Sequence, residues 1–225
     1  MIESIIFDFD STLVDYHFSD TKAIHKVASL ISEDIDKLQF LEKSGEIIVD
    51  LYNSGAVLGS KVHRERLVRT TRYFGFEWKE SYLAEYLRIY LNEIKVYRGV
   101  LEILEHLKGK VHLGLLTNSM DVYEQKMRIR NSNLASYFDV ICVAAEIGAY
   151  KPDRKAFEII LSKLSSKPKR SVFIGDSEEY DIRGSKDVGM IAIKKENGSQ
   201  KISKADYKFC QFFELFPILE QIGLS

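Results

Sequence analysis

Two aspartates spaced Asp-x-Asp end the first apolar run of the chain, Ile5-Ile6-Phe7-Asp8-Phe9-Asp10-Ser11-Thr12-Leu13. A buried strand ordinarily gives way to turn residues, so paired carboxylates there suit a nucleophile, a proton carrier or a cation ligand. Three later apolar runs also end in polar groups. Thr117-Asn118-Ser119 closes the second, Lys151-Pro152-Asp153 follows the third, and Gly175-Asp176-Ser177-Glu178-Glu179-Tyr180-Asp181 follows the fourth. Carboxylates, a hydroxyl and a lysine gathered at one sheet edge fit phosphoryl transfer, which needs an in-line nucleophile, cations against the equatorial oxygens and donors to hold them. Oxygen-only ligands favour Mg2+.

These groups need strands to carry them. Val111-His112-Leu113-Gly114-Leu115-Leu116, Val140-Ile141-Cys142-Val143 and Ser171-Val172-Phe173-Ile174 are short, apolar and rich in branched residues. Each precedes a polar loop and a helical pattern, which predicts an α/β fold with a doubly wound, Rossmann-like parallel sheet. Further strands are expected at Met190 to Ile193 and around Tyr207 to Phe209. The stretch 16–94 breaks this rhythm. Its apolar residues recur at helical spacing, as in Ala23, Val27, Leu30 and Ile31, and again in Leu83, Leu87, Tyr90, Leu91 and Ile94. Gly55, Gly59 and Gly75 mark breaks between helices. The expected organisation is a catalytic core from 1–15 and 95–225 with a helical cap inserted at 16–94. Ligands of open parallel sheets bind where strand order reverses, at the carboxyl ends of the strands. An insertion leaving the sheet there would serve as a lid that excludes water.

Composition narrows the class. The 225 residues carry 45% hydrophobic residues, enough for a sizeable core. Lys+Arg 32 against Asp+Glu 33 gives a net charge of −1, so no basic field points to nucleic acid. Cys142 and Cys210 stand in no metal or redox spacing and read as buried free thiols of a reducing compartment. No apolar run reaches the ~20 residues of a bilayer span. Asp8 and Asp10 interrupt the only apolar stretch near the N-terminus, against a signal peptide. A cytoplasmic protein without membrane or nucleic-acid partners is expected.

Asp8-x-Asp10-x-Thr12-Leu13, Thr117-Asn118, Lys151-Pro152-Asp153, and Gly175-Asp176-Ser177 with Asp181 resemble, in order, the four motifs of the haloacid dehalogenase-like hydrolase superfamily. The resemblance spans nearly the whole chain, and the helical insertion matches the place of that family's cap. It implies Asp8 as the nucleophile, forming an aspartyl-phosphate. It implies that Asp10 protonates the leaving oxygen, then activates water, its backbone carbonyl binding the metal. Thr117 and the Asn118 amide would hold phosphate oxygens, with Lys151 offsetting charge on nucleophile and phosphate. Asp176 would bind Mg2+ directly, and Asp181 in its inner or outer shell. Thr12 reads as orienting the loop, Thr117 could also cap the next helix, and Glu178 and Glu179 read as solvated first-turn acids.

Departures from the family pattern touch no reacting group. Ser11 stands where glycine is common, Tyr180 where asparagine often precedes the last aspartate, and Arg98 where proline often precedes Gly99. Dehalogenases of the superfamily lack an acid two residues after the nucleophile, so Asp10 favours phosphate ester hydrolysis over 2-haloacid dehalogenation. Phosphomutases keep both acids, but the cap shows no clear signature of one. A non-catalytic binding protein would be expected to have lost the nucleophile, the acid or the metal ligand, and all are present.

In the cap, 61–72 carries five Lys/Arg against one Glu. Arg64 precedes Leu67 by three and Val68 by four, which places it on their apolar side. Two expectations follow: Arg64 reads a second anionic group of the substrate, or it pairs with an acid elsewhere in the cap. Tyr16 and His17 follow the first motif closely and could line the entrance or serve as packing. Trp78, Tyr82, Tyr86 and Tyr90 read as cap core. The expected partner is a small phosphorylated metabolite, and the chain a monomer or homodimer.

Overall fold

The computed structural model describes residues 1–54, 59, 61–198 and 202–224, with the side chain of Asn53 left aside. The chain forms two compact units, Met1–Asp15 with Val96–Ser225, and Tyr16–Lys95. It opens with strand β1 (Ser4–Phe7), buried throughout, and leaves the first unit after Asp15.

The second unit is helical: α1 (Tyr16–Ile31), α2 (Lys37–Ser54), α3 (Lys61–Tyr73) and α4 (Glu80–Asn92). Gly59 and Gly75, both at positive φ, flank α3, and Gly55 lies outside the described residues. The break between α1 and α2 has no glycine. Ser32 Oγ accepts from the Asp34 amide, and Asp36 Oδ1 accepts from the amides of Leu38 and Gln39. These side chains satisfy the free donors of a helix start, so they end one helix and begin the next without a left-handed residue.

The apolar core of this unit gathers Ala23, Ile24, Val27, Leu67 and the tyrosines Tyr82, Tyr86 and Tyr90, with Trp78 packed against it. Leu30, expected inside, is 44% exposed. At the centre lies an ion pair: Arg66 Nη1 and Nη2 donate to Asp20 Oδ1 and Oδ2 at 2.7 and 3.0 Å, and Nε donates to the Ser44 carbonyl at 3.1 Å. Tyr86 donates its hydroxyl proton to Asp20 Oδ1 at 2.7 Å and lies 3.1 Å from His63 Nδ1. Burial alone would raise the Asp20 carboxyl, but Arg66, helped by Tyr86, holds it below the usual carboxylate range. This corrects the phase read from the sequence. The buried face of α3 centres on Val62, His63, Arg66, Leu67 and Thr70, and Arg66 is the buried arginine. Arg64 falls about 130° from the middle of that face at the 3.6-residue period of a helix, so it emerges outside it. There it pairs with Glu80 beside the Trp78 ring, its side chain 47% exposed.

Back in the first unit, α5 (Val100–Leu107) leads into β2 (His112–Thr117), then α6 (Val122–Asn131) into β3 (Val140–Val143). Two helices, α7 (Ala144–Ile147) and α8 (Arg154–Lys163), precede β4 (Ser171–Gly175). A π-type turn at Glu178–Arg183 runs into α9 (Gly184–Asp187), followed by β5 (Ile191–Lys195), β6 (Tyr207–Phe209) and α10 (Leu215–Gln221). Among the described residues the sheet has six strands in the order β3-β2-β1-β4-β5-β6, all parallel. This is the doubly wound α/β fold. Order reverses about β1, which pairs with β2 on one side and β4 on the other, Phe7 lying opposite both Leu115 and Ile174. The carboxyl ends of these three strands form the crevice such sheets use for ligands.

Under one face of the sheet, Ile6, Leu116, Cys142 and Phe173 pack with Phe157, Ile160 and Leu161 of α8 and with Leu164, which caps it. A Cβ on Gly114 would come within 2.9 Å of Leu164 Cδ1 and 3.1 Å of Ile160 Cδ1, so this glycine lets α8 approach β2 closely. Cys142 is buried as expected, whereas Cys210, next to the edge strand β6, is exposed. No described helix is long and apolar enough to cross a membrane.

Asp20→Ala is expected to destabilise the helical unit by roughly 3–5 kcal/mol, because Arg66 would keep its charge in the core without a counterion. Urea unfolding of the variant against the native chain measures it; a shift under about 1 kcal/mol would mean that water reaches Arg66.

Candidate active site

The four polar strand ends meet in one open cleft of about 160 Å³. Its lining includes Asp8, Asp10, Thr117, Asn118, Lys151, Asp176 and Asp181. Asp8 follows β1 directly, and its amide donates to the Ile174 carbonyl at 2.9 Å, which locks the loop to β4. Ser11 takes φ 61, the left-handed value a tight loop demands there. Its carbonyl accepts from Lys195 Nζ at 3.1 Å and Asn197 Nδ2 at 3.3 Å, contacts that hold this unusual backbone in place. Thr12 is buried and its Oγ1 stands 3.4 Å from Asp176 Oδ1, tying the first loop to the fourth.

Lys151 is the hub. Its buried ammonium donates to Asp8 Oδ1 at 2.6 Å and to Asp181 Oδ1 at 2.7 Å. Burial pulls the ammonium pKa down, but Asp181 and Asp8 outweigh it and hold the pKa above the ordinary lysine value. Asn118 fixes this lysine in both directions. Its Oδ1 accepts from the Lys151 amide at 2.9 Å, and its Nδ2 donates to the Lys151 carbonyl at 2.8 Å. Both ends of the Asn118 side-chain amide are therefore engaged by the Lys151 backbone.

Burial pushes the Asp8 carboxyl up to about 8; Lys151 works against this, and Asp181 and Asp176 add to it. Asp176 is raised as well, by burial and then by Asp181. Burial is the larger cause in both, and the neighbouring carboxylates add to it; of the three acids, Lys151 bonds only Asp8 and Asp181. Asp8, Asp176 and Asp181 each offer an oxygen, and these oxygens lie within 4.8 Å of one another. An all-oxygen set with surplus negative charge fits a hard divalent cation such as Mg2+.

Asp10 faces elsewhere. Its Oδ1 accepts from Arg128 Nη1 at 2.6 Å and its Oδ2 from Gln125 Nε2 at 2.8 Å, both donors on α6. Gln125 also donates to Thr117 Oγ1 at 2.9 Å. Asp121, which accepts from the Glu124 amide, caps α6, so Thr117 is free of that task.

The family profile of haloacid dehalogenase-like hydrolases matches residues 2–189. The chain belongs to the haloacid dehalogenase-like hydrolases. It is 28% identical over 198 residues to a glyceraldehyde 3-phosphate phosphatase of Methanothermobacter thermautotrophicus, covering 86% of this chain and 85% of the relative. It is 26% identical over 196 residues to the pyrimidine 5'-nucleotidase YjjG of Escherichia coli, covering 83% and 82%. The fold is that of the HAD-hydrolase YfnB from Bacillus subtilis, solved bound to magnesium, with a TM-score of 0.79 at 22% identity over 97% of this chain and 99% of that one.

Within this hydrolase, seven residues singled out from the sequence line one cleft, while Arg64 and His17 belong to the helical unit. Arg64 pairs with Glu80, and His17 is exposed with its ring edge-on to Tyr16 at 5.6 Å. Glu178 pairs with Lys194 and Glu179 with Arg183. Sequence reasoning missed Gln125 and Arg128. Their signal was present: two long polar residues one turn apart, following the Thr117-Asn118 loop.

Gly175 offers a direct test of the packing around the hub. A Cβ there would fall 2.4 Å from Asp181 Cγ, a clash that displaces the carboxylate. Gly175→Ala is expected to cost roughly 1–3 kcal/mol in urea unfolding and to depress hydrolytic activity. An unchanged unfolding midpoint would show that Asp181 moves aside freely.

Proposed function

We propose that this protein is a Mg2+-dependent phosphatase of small phosphomonoesters that works through an aspartyl-phosphate on Asp8. The observation that carries this reading is the separation of two acids only two residues apart in sequence. Asp8 is held by Lys151 among the acidic cluster, whereas Asp10 turns to Arg128 and Gln125. In this reading one attacks and the other moves a proton. The phosphatase and nucleotidase relatives support the same chemistry.

In the first step a carboxylate oxygen of Asp8 attacks phosphorus and the bond to the ester oxygen breaks. The leaving oxygen takes the electron pair and receives the proton of Asp10. In the second step Asp10, now a carboxylate, accepts a proton from water as that water attacks the phosphorus of the acyl phosphate. The bond to Asp8 breaks, and inorganic phosphate and the free Asp8 carboxylate result. Thr117 and the Asn118 amide hold the phosphoryl oxygens, and Lys151 offsets their charge. Asp8, Asp176, Asp181 and the Asp10 carbonyl would hold Mg2+, which when bound supplies the positive charge that this carboxylate-rich cleft lacks. The helical insertion at 16–94 acts as the substrate-selecting cap.

Turnover of p-nitrophenyl phosphate and of a panel of phosphorylated metabolites is expected to vanish on chelation and in Asp8→Asn. Undiminished hydrolysis by Asp8→Asn would sink the proposed nucleophile. A pH dependence follows from the raised Asp8 carboxyl. Between its ordinary value of 3.8 and about 8, the metal-free folded state keeps a proton that the unfolded chain has lost. Metal-free stability therefore falls as pH rises through that window. A cation requires the ionised form and competes with that proton. The rise in Tm caused by Mg2+ is expected to be larger at about pH 8.5 than at about pH 6. Equal rises at both would show that Asp8 is ionised throughout.

A further inference from the structure

We infer that Gln125 and Arg128 are positioning residues that make the two oxygens of Asp10 inequivalent, so that Oδ2 carries the transferred proton. The inference rests on the proposed role of Asp10 as proton carrier. Arg128 is fully buried and its Nη1 donates to Asp10 Oδ1 at 2.6 Å. A guanidinium is donor-only and stays charged, so it pairs best with the bare carboxylate oxygen. Oδ2 faces the neutral amide of Gln125 at 2.8 Å, a contact a protonated oxygen can keep as acceptor while its own hydrogen points elsewhere.

The amide is itself oriented. Arg128 Nη1 lies 3.4 Å from Gln125 Oε1, which turns Nε2 toward Asp10, and the second hydrogen of Nε2 goes to Thr117 Oγ1 at 2.9 Å. One buried side chain thus links the proton carrier to a hydroxyl that faces the cleft. Arg128 is braced in turn, its guanidinium 5.6 Å from the centre of the buried Phe9 ring, between the two aspartates in sequence. Rotating the Asp10 carboxylate would break both bonds at once. Its side chain is still 26% exposed, so the clamp leaves an edge open for proton exchange.

The test uses the full-length chain with Mg2+ and p-nitrophenyl phosphate, whose leaving group departs without a proton. Loss of the proton carrier then slows only hydrolysis of the phosphoenzyme, and the first turnover appears as a burst of nitrophenolate. Gln125→Met, nearly the same size but without donors, and Arg128→Lys are each expected to lower kcat about 10- to 100-fold. KM should fall by a similar factor, so that kcat/KM stays within about twofold, and a burst approaching one equivalent per chain should appear. A loss of kcat without a burst, or native kcat in both variants, overturns the inference. If Arg128→Lys does not fold by circular dichroism, Gln125→Met alone decides. Asp10→Asn separates the two levels of the argument. Native turnover in Asp10→Asn removes the role of Asp10 and the inference with it. A burst in Asp10→Asn beside native behaviour of Gln125→Met and Arg128→Lys removes the inference only.

Discussion

The first unit is organised around one buried ammonium. Lys151 enters a site where burial penalises charge, and it persists there because Asp8 and Asp181 both accept from it. Everything nearby serves that geometry. Asn118 grips the lysine backbone from both sides, Asp181 is held by the Ser177 amide at 3.0 Å, and Gly175 leaves the space that Asp181 fills. Three carboxylates around one lysine leave the cleft short of positive charge. Burial, and then this crowding of carboxylates, raises Asp8 and Asp176, and the surplus negative charge makes a divalent cation a natural complement.

A second arrangement keeps the neighbouring acid out of this cluster. The loop that begins at Asp8 turns tightly at Ser11, and the turn sends the Asp10 carboxylate to α6. Asp8 and Asp181 share Lys151, whereas Asp10 meets a cation of its own, Arg128, and so stands outside the lysine-centred network. In the proposed reaction this division is what permits one acid to stay a nucleophile while the other gains and loses a proton.

The helical unit obeys the same rule with no chemistry attached. Asp20, Arg66 and Tyr86 form a closed set in which the guanidinium meets both carboxylate oxygens and a backbone carbonyl. Such a set fixes the register of α1 against α3 more sharply than apolar contacts do, since a one-residue slip of either helix would strand a charge. The exposed Arg64–Glu80 pair, by contrast, is screened by water and contributes little.

Strand positions and fold class were legible in the chain because buried parallel strands must be continuously apolar, and their ends stand out wherever a carboxylate or lysine follows at once. Asp8, Asp10, Thr117, Asn118 and Asp176 were legible for the same reason, each at or just past a strand end, whereas Lys151 comes only after α7 and Asp181 lies within the turn at Glu178–Arg183. Other features needed the third dimension. Whether Arg64 or Arg66 is buried depends on helical phase, which apolar spacing fixes only loosely when charged side chains have long stems. Gln125 and Arg128 lie inside a helix, 115 and 118 residues from Asp10 in sequence, so no local pattern joins them to it. The sequence by itself determined which reactive groups are present and that a parallel sheet gathers them. Tertiary structure alone decided which charge faces which, because a buried ion pair is settled by packing and distance rather than by spacing along the chain.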